Sequence, residues 1–386
     1  MFTLEEFSTL CQEQVQCAIA ENIDRTPTDI ALDRRVPAAA AVATQVKRLQ
    51  RARSKLPSYY AVRAILPPRA YEQSSSEECA ARKRLCGESV LDLTCGLGVD
   101  TMALARRFRR VVALERDEVL AAVTRHNLQR LGIENVTIIN CSAEEFLSTC
   151  EQHFDWCFAD PDRRGEAGEK LVRLEDCSPN MVALRSDIER IADRICIKCS
   201  PLFDTAEAQH LFGDCSVESV SLAGECKEVN IYIDGTTPTL AAEAIGLGRV
   251  EVPWAEVGNY APGEPPTDLE AYRYLILPDV ALQHSRLTAY ALAGRADVWS
   301  ATGIALSTEA PQGVPGRIFE IGSILDLGNK QTKRRLRGAK VEIYRRDMPL
   351  SNGELCRRFG MREGGEQRWC FTKIGTRSVA IEMKKM

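Results

Sequence analysis

The chain has 386 residues, 45% of them hydrophobic, enough for two or three domains with cores of their own. It holds no run of about 18 apolar residues, the length a membrane span needs, and its first residues lack the basic-then-apolar order of a signal peptide, so a cytoplasmic location is expected. The net charge of −4 conceals an asymmetry: residues 317–386 carry 17 Lys and Arg against 8 Asp and Glu, a net of +9, which leaves −13 for the rest. A basic end on an acidic body suits a polyanion-binding module or a merely solvated basic surface.

In chain order, residues 1–56 are expected to be helical. Glu5–Asn22 spaces its apolar residues as a helix does, and Ala38–Ser54 is rich in helix formers. The second segment closes on Lys47, Arg48, Arg51, Arg53 and Lys55, which face either nucleic acid or solvent. Glu72–Glu78 opens a further helix, with Ser75 and Glu78 spaced as a capping box and Ser75 also placed to touch a ligand.

Residues 89–234, within a domain expected at 57–236, alternate strand and helix. Strands are predicted at Val90–Thr94, Val111–Leu114, Val136–Ile139, Trp156–Ala159 and Ile195–Lys198, with helices at Thr101–Phe108, Glu118–Leu131, Glu144–Cys150 and Met181–Ala192. This pattern predicts an α/β, Rossmann-like fold: a mostly parallel sheet with helices on both faces and its ligand at the C-terminal strand edge. Val217–Leu222 and Val229–Ile233 are expected to close the sheet as an antiparallel pair.

Residues 237–273, rich in Pro, Gly and acids, read as a linker. Beyond them the pattern is shorter and α+β. Strands are expected at Tyr274–Leu277, Arg317–Ile321, Lys340–Tyr344, Trp369–Lys373 and Val379–Met383, and helices at Asp279–Gly294 and Asn352–Phe359. The basic run Lys330–Arg337 lies among them, and Lys333, Arg334, Arg335 and Arg337 are its candidate RNA contacts.

The 15 cysteines are scattered and read as reduced, mostly buried thiols. Cys196 and Cys199 have C-x-x-C spacing but lie along a strand, where the two side chains diverge. The four histidines lack ligand spacing, so no metal site is expected.

The most informative stretch is Val90-Leu91-Asp92-Leu93-Thr94-Cys95-Gly96-Leu97-Gly98-Val99-Asp100, followed by Val111–Glu115. It reads as strand, glycine turn, helix and a second strand ending in a carboxylate, the arrangement that holds a nucleoside. Dinucleotide folds need a third glycine and a helix N-terminus open to pyrophosphate. Here Thr101 takes the third glycine position and Asp100 precedes it. A carboxylate there repels pyrophosphate and suits an ammonium or sulfonium, so the expected cofactor is S-adenosylmethionine. Its candidate contacts are Ser75, Asp92, Thr94, Gly96, Gly98, Asp100, Glu115, Arg116, Ser142 and Ala143, with Glu115 for the ribose hydroxyls and Ser142–Ala143 for the adenine edge.

Asp160-Pro161-Asp162-Arg163-Arg164 ends the fourth strand, beside the expected methyl position. Asp160, Pro161, Asp162 and Arg163 are the candidate catalytic residues. A carboxylate here orients a lone pair, Asp162 accepts a proton, and Arg163 and Arg164 bind phosphate or stack on a base. Lys198, at the end of the fifth strand, is either a substrate-facing cation, grouped with the RNA contacts, or a snorkelling side chain.

These segments, with Lys198-Cys199-Ser200-Pro201, Glu225-Cys226-Lys227-Glu228 and Arg345–Ser351, resemble the bacterial class I methyltransferases with a THUMP-like C-terminal domain. The resemblance implies a seven-stranded methyltransferase core, a small ferredoxin-like segment at 274–315 and a THUMP-like domain at 316–386. It also implies RNA (tRNA or rRNA) as substrate, and methylation of a base nitrogen is the expected reaction. The chain departs from the common pattern in three places. Thr94 replaces the first glycine, Ser142 replaces an adenine-contacting acid, and Asp162 and Arg163 stand where amino-methyltransferases carry proline and an aromatic. Two other readings stay open: methylation of a small molecule or protein, and a non-catalytic RNA-binding adaptor.

Overall fold

The computed structural model describes residues 2–163 and 173–385. It divides into two compact units, residues 1–215 with 230–236, and residues 216–229 with 237–386.

The first unit opens with seven helices: α1 (Leu4–Cys11), α2 (Glu13–Glu21), α3 (Pro27–Leu32), α4 (Ala39–Lys55), α5 (Pro57–Ala61), α6 (Pro68–Gln73) and α7 (Glu77–Ala80). The helix expected over Glu5–Asn22 is broken at Gln12, whose ψ of 136° is extended. Strands and helices then alternate: β1 (Gly87–Asp92), α8 (Val99–Ala105), β2 (Phe108–Leu114), α9 (Glu118–Arg130), β3 (Val136–Ile139), α10 (Ala143–Thr149), β4 (Phe154–Ala159), α11 (Arg185–Glu189), β5 (Ala192–Cys199) and α12 (Glu207–Phe212). The chain continues through β6 (Ser216–Leu222) into β7 (Glu225–Ile233), whose residues from Asn230 onward belong to this unit. Strand order is β3-β2-β1-β4-β5-β7. Val90 of β1 lies opposite Val111 on one side and Trp156 on the other, both parallel. β1 is central, and the loops after β1, β2, β4 and β5 leave from one edge, as the alternation predicts.

The N-terminal helices belong to the core of this unit. Ile19, Leu49 and Tyr59 are buried with Val90, Val111 and Phe158 in one cluster. Polar pins add to it. The Asn127 amide on α9 accepts from the Ile65 N–H at 2.9 Å and donates to the Ile65 carbonyl at 2.8 Å, and Gln45 donates to the Ala64 carbonyl. These residues lie away from water, so the backbone groups between α5 and α6 depend on them.

In the second unit β6 and the start of β7 are joined by Ala223 and Gly224, both at positive φ (53° and 80°), a two-residue hairpin turn. β8 (Thr239–Ala244) runs parallel to β6, and β9 (Gly248–Pro253) antiparallel to β8. The expected linker at 237–273 therefore contains two paired strands and a short helix, α13 (Trp254–Val257). Its alanine-rich strand Leu240–Ala242 is buried, a signal that prolines and glycines on either side obscured.

The rest of this unit is one eight-stranded sheet, built from β10 (Tyr274–Pro278), α14 (Val280–His284), α15 (Thr288–Leu292), β11 (Asp297–Val298), β12 (Ala305–Ser307), β13 (Gly316–Asp326), α16 (Lys330–Leu336), β14 (Lys340–Arg345), α17 (Asn352–Phe359), β15 (Arg362–Glu363), β16 (Gln367–Ile374) and β17 (Arg377–Lys385). Its order is β11-β12-β10-β13-β17-β16-β14-β15. β10 pairs with β13, so segments 274–315 and 316–386 share a sheet instead of forming separate bodies. α16 and α17 bury Leu336, Leu355 and Phe359 against Trp369 and Phe371.

Replacing Asn127 with Leu strands two buried backbone groups and is expected to cost about 2–5 kcal/mol. A free energy of urea unfolding lowered by under about 1 kcal/mol would show that this junction does not hold the helices.

Candidate active site

The loop after β1 is built around a carboxylate that faces inward. Asp92 is fully buried and accepts from the Thr94 N–H at 3.0 Å and the Thr101 hydroxyl at 2.6 Å. Thr101 thus stands at the third glycine position because its hydroxyl braces the turn. Gly96 (φ 54°) and Gly98 (φ 82°) occupy the left-handed region. A Cβ on Gly98 would stand 2.7 Å from the Thr124 methyl, while one on Gly96 would meet nothing nearer than the Thr94 carbonyl at 3.9 Å. Gly98 is therefore needed for packing, and Gly96 keeps the turn open on its outer side. Tyr59 Oη donates to the Leu97 carbonyl at 3.0 Å, and the Thr124 hydroxyl to the Gly96 carbonyl at 2.7 Å.

Glu115, just beyond β2, is held beside the turn. One oxygen takes the Gly96 N–H and the other the Asp117 N–H, each at 2.9 Å, which fixes the carboxylate beside the turn with lone pairs to spare. Burial raises its pKa, and those two amides oppose the rise.

Asp100, in the first turn of α8, is not an open carboxylate. Lys83 Nζ lies 2.5 Å from one oxygen, and Lys198 Nζ 3.2 Å from the other. Ser75 Oγ donates to Asp100 at 2.7 Å. Burial works to raise this carboxyl, but Lys198 and Lys83 outweigh it and hold it well below the usual range. Lys198 also pairs with Asp160 at 2.5 Å and donates to Ser75 Oγ at 2.7 Å. Two ammonium groups and two carboxylates form one buried, charge-balanced cluster.

The strand-end loop adjoins it. The Asp160 N–H donates to the Thr94 hydroxyl at 2.6 Å, so the residue replacing the first glycine links the loops after β1 and β4. Burial raises the Asp160 pKa, and Lys198 opposes it. Asp162 bridges Ser178 through both backbone groups and pairs with Arg69 at 3.3 Å. Pro161 and Arg163 line a small cavity with Cys177, Lys198 and Cys199. Arg164 lies outside the described residues.

The structure revises several sequence-based roles. Asp92 braces the turn from inside instead of facing a ligand. Ser75 caps nothing: Ser76 caps α7 by accepting from the Cys79 N–H, and Ser75 turns to Asp100 and Lys198. Ser142 spends its hydroxyl and its N–H on a capping box with Glu145, and Ala143 is buried behind it. Arg116 is aimed at Ser178 (3.0 Å) and Asp162 (4.0 Å), at the strand-end loop. Lys198 is only 6% exposed and committed to carboxylates, so it is not a surface contact for RNA phosphate. Sequence alone gave no sign of Lys83 or Tyr59, which lie far from any motif.

In the second unit, Lys333, Arg334 and Arg337 are exposed on and just beyond α16. Arg335 is partly spent, pairing with Glu382 at 2.7 Å and lying over the Trp369 ring.

The fold and the turn are those seen in class I methyltransferases. The chain aligns along its whole length with a solved structure from Porphyromonas gingivalis W83, described provisionally as a methyltransferase, at a TM-score of 0.82 and 24% identity, covering 99% of that chain. Residues 78–157 match the tRNA (uracil-5-)-methyltransferase family, and residues 316–385 the THUMP domain-like family. An uncharacterized S-adenosylmethionine-dependent methyltransferase of Mycobacterium tuberculosis is 29% identical over 169 residues, 43% of this chain and 45% of that one. A tRNA/tmRNA (uracil-C(5))-methyltransferase of Neisseria meningitidis is 29% identical over 157 residues, 34% of this chain and 42% of that one. A 23S rRNA (uracil(1939)-C(5))-methyltransferase of Stenotrophomonas maltophilia is 43% identical over 90 residues, 22% of this chain and 20% of that one. The chain spans under half the length of these curated relatives. Its likeness to S-adenosylmethionine-dependent methyltransferases thus lies in residues 78–157 and neighbouring sequence, and its likeness to THUMP-like domains in residues 316–385.

Burial also raises Asp92, to about 7, and its two hydrogen bonds oppose the rise only in part. Its unfolded value is about 3.9. The folded state therefore keeps a proton that the unfolded state has lost, and the stability this contributes is complete below about pH 4 and lost as pH rises through 7. Asp92→Asn is expected to flatten the fall in stability across that window in melts run at several pH values. An unchanged pH profile would contradict it.

Proposed function

We propose that this protein methylates a base nitrogen of tRNA or rRNA, with the C-terminal domain docking the RNA. The observation that carries the reading is the placement of Asp160 at the end of β4, tied to Thr94 of the glycine turn and to Lys198. S-adenosylmethionine, when bound, supplies a methyl group made electrophilic by its positive sulfur. The open side of Gly96, the fixed Glu115 carboxylate and the Asp100 acid suit the ribose and amino-acid ends of that molecule.

The residues of the strand-end loop then do the positioning. Asp160 accepts a hydrogen bond from the base, which turns the nitrogen lone pair toward the methyl carbon. With the cofactor bound, its sulfur would leave as a neutral thioether once the methyl group is transferred, and Asp162 would take the proton released from nitrogen and pass it to solvent. Asp162 is half-exposed and near Arg69 and Arg116, cations that suit the phosphates flanking a target nucleotide. Exposed Lys333, Arg334 and Arg337 supply the sequence-independent part of RNA affinity.

A second reading, methylation of uracil C5, draws on the printed names of the relatives. A carbon target calls for a nucleophile that first adds to the ring. Cys177 and Cys199 border the cavity under Pro161 and Arg163, but burial pushes both thiols up, away from the reactive thiolate. That favours nitrogen.

Incubating the purified protein with labelled cofactor and total RNA, followed by mass spectrometry of the nucleosides, separates these readings. An N-methylated base that persists in Cys199→Ser is expected. A 5-methyluridine product lost in that variant would replace nitrogen with carbon, and label confined to protein or small molecules would end the RNA assignment. Changing Lys333, Arg334 and Arg337 together to Ala should weaken RNA binding and reduce the slope of log affinity against log salt by about 2.

A further inference from the structure

Lys198 spans two sides of the site. Its ammonium has three protons to donate and three acceptors to receive them: Ser75 Oγ at 2.7 Å, Asp100 Oδ2 at 3.2 Å and Asp160 Oδ2 at 2.5 Å. Asp100 belongs to the glycine-turn side and Asp160 to the strand-end side. Lys198 is 6% exposed, so water is a poor substitute for any of these partners.

We infer that Lys198 is a positioning residue that links the two halves of the site: it holds Asp160 turned inward, and a cation that reaches Asp100 alters its hold on Asp160. This inference rests on the cofactor reading above. A ligand ammonium drawn to Asp100 competes with Lys198 for that carboxylate. Lys198, displaced from Asp100, then commits its charge to Asp160, which is held ionised and fixed in orientation when the cofactor side is occupied. Ser75 is the third leg of the same bridge, which explains why a serine of the N-terminal segment turns into the site instead of capping α7.

The charges facing Asp160 come from several elements: Lys198 on β5, Asp100 on α8, Asp92 on β1 and Arg163 on its own loop. With Lys198 in place the cluster of Lys83, Lys198, Asp100 and Asp160 is neutral. With a neutral side chain at 198 it carries one uncompensated negative charge in a buried site, and Asp160, already pushed up by burial, takes up a proton toward neutral pH. A ligand bringing an ammonium would then expel that proton on binding, and its affinity would rise with pH.

The test measures binding, not turnover. The affinity of the full chain for S-adenosylhomocysteine is measured by calorimetry from mildly acidic to mildly alkaline pH. The proteins are wild type, Lys198→Met, Lys198→Gln, Lys198→Arg and the double variant Lys198→Met with Asp160→Asn. Asp92 titrates in the same region, so the readout is the difference from wild type. Lys198→Met and Lys198→Gln should gain an extra dependence approaching about tenfold in affinity per pH unit, the effect of one linked proton. Lys198→Arg should follow wild type, and the double variant should lose the extra dependence. The glutamine variant keeps a polar group, so it reads the charge effect even where methionine fails to fold. If the neutral variants bind with the wild-type pH profile, the linkage is wrong while the cofactor reading stands. If wild type does not bind S-adenosylhomocysteine at all, both fall. If binding and linkage hold but no RNA is methylated, only the RNA assignment falls.

Discussion

A buried lysine shared by two carboxylates is the interaction on which the candidate site in the first unit depends. Charged groups leave water only when their partners are arranged with good geometry, and breaking one such pair leaves an uncompensated charge. Lys198 meets that condition with Asp100, Asp160 and Ser75, and Lys83 covers the other face of Asp100. The ends of β1, β4 and β5, the start of α8 and the segment before α7 are thereby held together by electrostatics. The backbone bond from Asp160 to Thr94 adds a second link between two of these strand ends.

The same constraint gives the N-terminal helices a role. Tyr59 on α5 reaches the Leu97 carbonyl inside the glycine turn, and Ser58 on the same helix bonds to Glu77 of α7 through both its amide and its hydroxyl. Ser75 lies just ahead of α7. The segment before β1 therefore supports the turn from behind with Tyr59 and reaches the site directly with Ser75. Residues of the first seventy-odd positions are part of the first unit in the physical sense, not an attachment to it.

Much of the first unit was legible in the sequence because its strands are buried on both faces. Val136–Ile139 is placed as read, and the other parallel strands are extended by a few residues at their N-terminal ends, where charged residues such as Arg109 and Arg110 hide the pattern. The glycine turn and Glu115 were legible because backbone conformation demands particular residues there. Ser75 and Lys198 stand out as candidates, but their bonds to each other and to Asp100 and Asp160 do not, since these join residues 25 to 123 positions apart and no local periodicity encodes such a bond. Asp92 was misread for a related reason: a carboxylate at a strand end looks the same in sequence whether it faces a ligand or braces a turn. β8 and β9 were hidden by flanking prolines and glycines, and the shared sheet of the second unit by pairings between distant strands such as β13 and β17.

The most direct test of the account is a crystal structure of the full chain with S-adenosylhomocysteine. It should place the ribose hydroxyls on Glu115, the nucleoside over the open side of Gly96 and the amino-acid end beside Asp100, with Asp160 facing the sulfur. A ligand bound away from the glycine turn, or one whose sulfur lies far from Asp160, would contradict the assignment of both the pocket and the loop.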